Sequence, residues 1–179
     1  MKIKTLFASI LIVFLVAPLW AKGPNGPSVS FQLTEAEEAN ILYLYEEEKL
    51  ARDIYVEMYN AHGAYIFNRI FESEQRHMDA VERLITKYGL DDTVLYNEHG
   101  IFTNGDLQKE YDRLLEDGLN NLTSALEVGV AIEEMDIADI ENMLEQTDKA
   151  DIQRVLSNLL RGSYKHLEAF NRQLDLIPE

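Results

Sequence analysis

Five ionisable residues fall where helical spacing calls for apolar ones: Glu48, Glu74, His77, Glu134 and His166. Each lies on a seam of three- and four-residue steps. A seam faces a core, where an ionised group is costly unless it is paired or coordinated. Glu74 and His77 are three apart, so on a helix both side chains reach one point. A carboxylate from each of two helices, joined by Glu-x-x-His from the others, is the inward-facing set of a carboxylate-bridged dimetal bundle. The residue types suit that chemistry. Carboxylates bridge two divalent ions and neutralise their charge, while imidazole caps each ion and leaves positions open for dioxygen or peroxide. The expected metal ligands are therefore Glu48, Glu74, His77, Glu134 and His166. No catalytic side chain beyond them is assigned.

The set is one short. The last helix offers Ser163-x-x-His166 where a glutamate would complete it. An outside carboxylate, water, or a weak or missing second ion are the three ways to resolve this. Glu127 shares a face with Glu134 two turns away, and Glu47 and Glu133 are the candidates should the helix phases differ by one residue. Tyr55, on the Glu48 seam, reads as packing. Arg52 and Asp53 lie off the seam and read as an interhelical salt bridge. His62 and His99 fall in glycine-containing loops and read as surface residues.

The elements that must position these residues are helices. Thr34 opens the first with Glu37 three residues on, a capping-box pattern; Ile41, Leu44, Ala51, Tyr55 and Met58 form its seam, and Gly63 follows its end. A second helix is predicted over 67–88, stopped by Gly89. Residues 90–105 read as a loop with at most a short extended piece. A short helix over 106–116, a long one from about 119 and a last one from 151 to about 176 complete the chain. No segment alternates as a strand does. The implied fold is an all-α four-helix bundle over 33–177, with a long central connection carrying a short extra helix.

The chain also looks duplicated. Glu47-Glu48 with Asp53-Ile54 matches Glu133-Glu134 with Asp139-Ile140. Ile70 to Val81 then matches Leu159 to Phe170, with three extra residues in the second half. Glu48 meets Glu134 and His77 meets His166, as a pseudo-twofold pair of helix hairpins would require.

Composition narrows the partners. Of 179 residues, 32 are acidic, 16 basic and none is cysteine. Thiolate metal sites, iron–sulfur clusters, disulfides and thiol nucleophiles are excluded. A formal charge of −16 repels phosphate backbones, so no nucleic-acid partner is expected. Lys2 and Lys4, then an uncharged apolar run from Leu6 to Trp20 and Ala21, read as a secretory signal peptide over 1–21, with a linker over 22–32. The run is short for a spanning helix, so export to the periplasm or cell exterior is expected over an N-terminal anchor.

The runs Glu47 to Tyr55, Ser73 to Met78, Ile132 to Ile137 and Gly162 to Leu167 together resemble the ferritin-like family called domain of unknown function 2202. They are more distantly similar to rubrerythrins, through Glu48 with Ala51 and Arg52. The resemblance covers about 33–175. It implies a ferritin-like fold and a non-haem site for one or two ions of iron or manganese, with Glu48, Glu74, His77, Glu134 and His166 as ligands. Ser163 departs from the rubrerythrin pattern. Rubrerythrins carry a cysteine-ligated iron domain that delivers electrons; with no cysteine here, turnover needs an external electron donor. The expected activity is Fe(II) oxidation or peroxide reduction, with a homodimer as the expected assembly. The competing readings are a divalent-metal binding or sensing module without turnover, and a structural or partner-binding bundle.

Overall fold

The computed structural model describes residues 32–177; the expected signal peptide, and all of the linker but Gln32, lie outside them. The described residues form five α-helices and one 3-10 turn, and hold no strand. The helices are α1 (Glu35–His62), α2 (Tyr65–Tyr88), α3 (Gly105–Gly118), α4 (Leu122–Gln146) and α5 (Ala150–Leu174). No helix among these residues is long and apolar enough to cross a membrane.

The ends follow local chemistry. Thr34 accepts from the Glu37 amide at 3.2 Å, and the Glu37 carboxylate accepts from the Thr34 amide at 2.8 Å, closing the capping box. Gly63, at φ 66°, ends α1 in the left-handed region and lets the chain reverse into α2 within two residues. Two starts differ from the sequence reading. α2 begins at Tyr65, two residues past Gly63. α4 begins at Leu122, because the Asn121 side chain caps the Ser124 amide.

α1 packs against α2 and α4 against α5, and the two pairs meet through α1–α4 and α2–α5 contacts. Along every long helix the interior has the same three layers. One apolar cluster takes Leu50, Ile54 and Met58 of α1, Phe67 and Ile70 of α2, Leu126 and Ile132 of α4, and Phe170 of α5. The other takes Ile41 and Leu44, then Val81 and Leu84, Ile140 and Met143, and Leu156 and Leu159. Between them each helix turns polar: Glu47 and Glu48, Glu74 and His77, Glu133 and Asp136, Ser163 and His166. Hydrophobic burial thus holds the helices on both sides of a charged layer and keeps water from it.

The long connection is latched to α1. The Glu46 carboxylate accepts from the amides of Thr103 and Asn104 and from the Asn97 side chain. Buried Lys49 donates to Asp53 at 2.7 Å and to the carbonyls of Glu98 and Ile101, and lies over the Phe102 ring. Arg52 pairs with its neighbour Asp53 on the same helix, so the expected interhelical bridge is replaced; Arg52 reaches α2 through Gln75 at 2.8 Å. His62 contacts the Gly118 carbonyl at 2.8 Å and is only partly exposed; His99 is the more open of the two, facing Asp53 and Glu57.

Candidate metal centre

α2 supplies the middle of the charged layer. Glu74 and His77 point the same way from successive turns, and Glu74 is 2 % exposed. Its Oε2 lies 2.7 Å from His77 Nδ1, and its Oε1 lies 2.8 Å from His166 Nδ1. One carboxylate thus faces both imidazoles, one through each oxygen. Glu48 Oε2 is 3.1 Å from His77 Nδ1 on one side. Glu133 Oε2 is 3.6 Å from His166 Nδ1 on the other. The two rings stack with centroids 5.7 Å apart.

Two groups of three donors result, Glu48–Glu74–His77 and Glu74–Glu133–His166. Within each group the donor atoms lie within 4.8 Å of one another. The shared member is Glu74, which is the arrangement a bridging carboxylate needs. Sequence reasoning named four of these five residues. The fifth differs: Glu134 is exposed on α4, and Glu133 occupies the position assigned to it. The inward seam of α4 runs Leu126, Gly129, Glu133, Asp136 and Ile140. Gly129 carries no hydropathy signal, so half-exposed Val130 set the phase one residue late. Gly129 is inward because the Phe170 ring presses on it; a Cβ there would sit 2.7 Å from that ring. Glu127 is also exposed.

Ser163 has a partner that the sequence did not reveal. Its hydroxyl donates to Asp136 of α4, both residues being buried. Asp136 thus sets a buried carboxylate from α4 against Ser163, where the repeat expects a glutamate on α5, though it belongs to neither of the two groups. Glu47 is buried too, at 1 %. Tyr55 donates to Glu133 Oε1 at 2.7 Å, within a cage formed by the Phe67 and Phe170 rings. Gly162 leaves room for His77, since a Cβ there would stand 2.6 Å from its Nε2.

The electrostatics follow from burial. Desolvation pushes Glu48 and Glu133 up to about 7, with Glu74 adding to both; His77 and His166 pull the other way. Glu74 is desolvated as well, but hydrogen bonds from both imidazoles bring it down to about 2. Burial lowers the imidazoles, yet their carboxylates outweigh it, holding His77 at about 11 and His166 at about 10. Burial also raises Glu47 and Asp136 well above the usual carboxylate range, each with other carboxylates beside it.

The donor set fits a pair of divalent cations. Three buried carboxylates, Glu48, Glu74 and Glu133, face two imidazoles, and Glu47 and Asp136 are buried in the same layer. Glu48 Oε1, Asp136 Oδ1 and both Glu47 oxygens are buried with no hydrogen-bond donor beside them among the described residues. Buried groups of this kind are rarely left without a partner. His166 lines an open groove of about 730 Å³ between α2 and α5, together with Ser73, Arg76 and Lys165.

Fold and site define an all-helical protein with a carboxylate–histidine cluster buried at mid-height. The chain belongs to the family described as uncharacterized protein domain (DUF2202), whose model matches residues 37–177. It is 43 % identical over 143 residues to the uncharacterized protein MJ0754 of Methanocaldococcus jannaschii, covering 80 % of this chain and 77 % of that one. The crystal structure of hypothetical protein MJ0754 is similar with a TM-score of 0.78 at 42 % identity, over 85 % of this chain and 84 % of the other.

Proposed function

We propose that this protein is an exported, ferritin-like four-helix bundle that binds two iron or manganese ions in its charged layer and acts in Fe(II) oxidation or peroxide reduction. The supporting observation is that Glu74 belongs to both three-donor groups. Glu48 and His77 would hold one ion, Glu133 and His166 the other, and Glu74 would bridge them. Bound there, the pair supplies two adjacent redox-active Lewis acids for dioxygen or peroxide.

The chain's own residues set the conditions. Tyr55 fixes Glu133 through its hydroxyl. Ser163 orients Asp136 beside the pair. The apolar clusters on either side exclude water, and the groove at His166 gives small molecules a way in. The described helices carry no built-in electron relay of cysteine-bound metal, so the reductant comes from outside.

Metal content by mass spectrometry, after anaerobic loading with Fe(II) or Mn(II), tests this reading. About two tightly held ions per chain, retained through desalting and lost in Glu74→Ala and His77→Ala, are expected from the two donor groups. Oxidation of the loaded protein by dioxygen or peroxide is then expected in stopped-flow spectra. Retention of the ions without any such reaction would leave a binding role alone. A folded protein with no metal would overturn the reading.

A further inference from the structure

A second set of acids lies outward from the pair, between α1 and α4. Glu47 is 1 % exposed, and neither of its oxygens accepts from an N–H or hydroxyl donor; only other acids stand beside it. Its closest electrostatic neighbours are Asp136, Asp139 and Glu48, all carboxylates. Two of these are already oriented from one side. Tyr43 donates to Asp139 Oδ2 at 3.2 Å, and Ser163 donates to Asp136 Oδ2. Each hydroxyl fixes one oxygen of its acid. Asp136 Oδ1 is buried without a partner, as is Glu48 Oε1 on the inner side. Exposure is graded: Tyr43 and Asp139 are half-buried at the rim, while Glu47, Asp136 and Glu48 are buried.

Charge makes this set hard to leave alone. Two divalent ions with neutral imidazoles would offset four of the five negative charges on Glu47, Glu48, Glu74, Glu133 and Asp136. Glu47 belongs to neither inner group. An uncompensated buried carboxylate is strongly unfavourable; a proton neutralises it in the metal-free protein, as the raised Glu47 and Asp136 carboxyls show, and a bound cation can take that proton's place.

We propose that Glu47, Asp136 and Asp139 form a third divalent-cation site between α1 and α4, outside the two groups that share Glu74. Its donors are all oxygen, so it takes a hard cation such as Mn(II), Fe(II) or Mg(II). The three acids are more loosely gathered than the inner groups, which alone bring their donors within 4.8 Å among the described residues. The third ion therefore binds more weakly than the inner pair.

The test is an equilibrium titration of the full-length protein with Mn(II), the free ion being read by electron paramagnetic resonance. Wild type should take about three ions per chain, the last more weakly. Glu47→Gln should take two and keep their affinities. Tyr43→Phe, which removes only the hydroxyl orienting Asp139, should weaken the last ion on the order of tenfold, the usual effect of losing a ligand's outer partner. Saturation of wild type at two ions would overturn the proposal, as would a Glu47→Gln profile identical to wild type. Should Glu47→Gln lose helicity by circular dichroism, Tyr43→Phe decides alone: an unchanged last ion overturns the site. The inner pair fails separately. In that case wild type would take one ion, lost in Glu47→Gln and kept in His166→Ala.

Discussion

At the scale of single residues, the adjacent pair Glu133 and Glu134 is the sharpest discriminator. The two share a formal charge and differ by about 100° around the helix. Glu133→Gln should remove a ligand and cut metal content, while Glu134→Gln, on the exposed face, should leave it at the wild-type level. Metal analysis of the two purified variants checks this. Tyr55 acts through the same carboxylate. Tyr55→Phe strips the donor from buried Glu133 Oε1 without changing the aromatic packing on Phe67 and Phe170. Removing one partner of a buried hydrogen bond costs about 1–3 kcal/mol. The metal-free variant should lose stability of that size in urea, and metal loading should return part of it, because an ion at Glu133 replaces the lost partner. Equal losses with and without metal would place Tyr55 outside the centre's influence.

At the scale of elements, α1 is the organiser. It carries Glu47 and Glu48 inward and, from the same turns, Glu46 and Lys49 toward the connection. Lys49 is 2 % exposed, and its partner Asp53 is fully buried. Lys49→Met should release the 98–102 stretch from α1. Breaking a buried pair from one side costs about 3–5 kcal/mol; Arg52 and the Gly100 amide still reach Asp53, so the low end is expected. Hydrogen exchange should rise in 98–104 while α2 and α5 keep their protection. Much of this was legible in the sequence. The capping box at Thr34, the glycine after α1 and the Glu74-x-x-His77 step are local signals, and local signals survive without tertiary knowledge. The phase of α4 was not legible, because an inward glycine is silent in hydropathy and a half-exposed valine is not. Asp136 was missed, and Glu47 was reached only as a neighbour should the helix phase differ by one residue, for a related reason. Acids read as solvated unless a seam includes them, and α1 is buried on several faces at once, so that no single seam marks Glu47. The Glu-x-x-Asp step from Glu133 to Asp136 would have shown it, given the right phase.

At the scale of the whole molecule, the charged layer couples stability to pH and, on the proposed function, to metal. In the metal-free protein His77 and His166 are held at about 11 and about 10, against an ordinary 6.5. A group that holds its proton more tightly when folded contributes fully below its unfolded value and loses that contribution as pH rises to its folded value. The imidazoles therefore cease to stabilise between about pH 6.5 and 11. Glu48 and Glu133, raised from 4.5 to about 7, lose theirs over that lower window. Glu74, lowered to about 2, runs the other way and contributes above 4.5, fading only in strong acid. The sum is a metal-free protein most stable in mild acid, whose Tm falls steadily from pH 6 to 9. Metal binding has the opposite slope, since its ligands are the deprotonated imidazoles and carboxylates and each ion must displace their protons. The Tm difference between Mn(II)-loaded and chelator-treated protein should therefore widen over the same interval. Circular-dichroism melts at three pH values measure it. A gap that stays near zero throughout would mean that the layer is an ion-pair network held by its own protons, and that the seam carries structure alone.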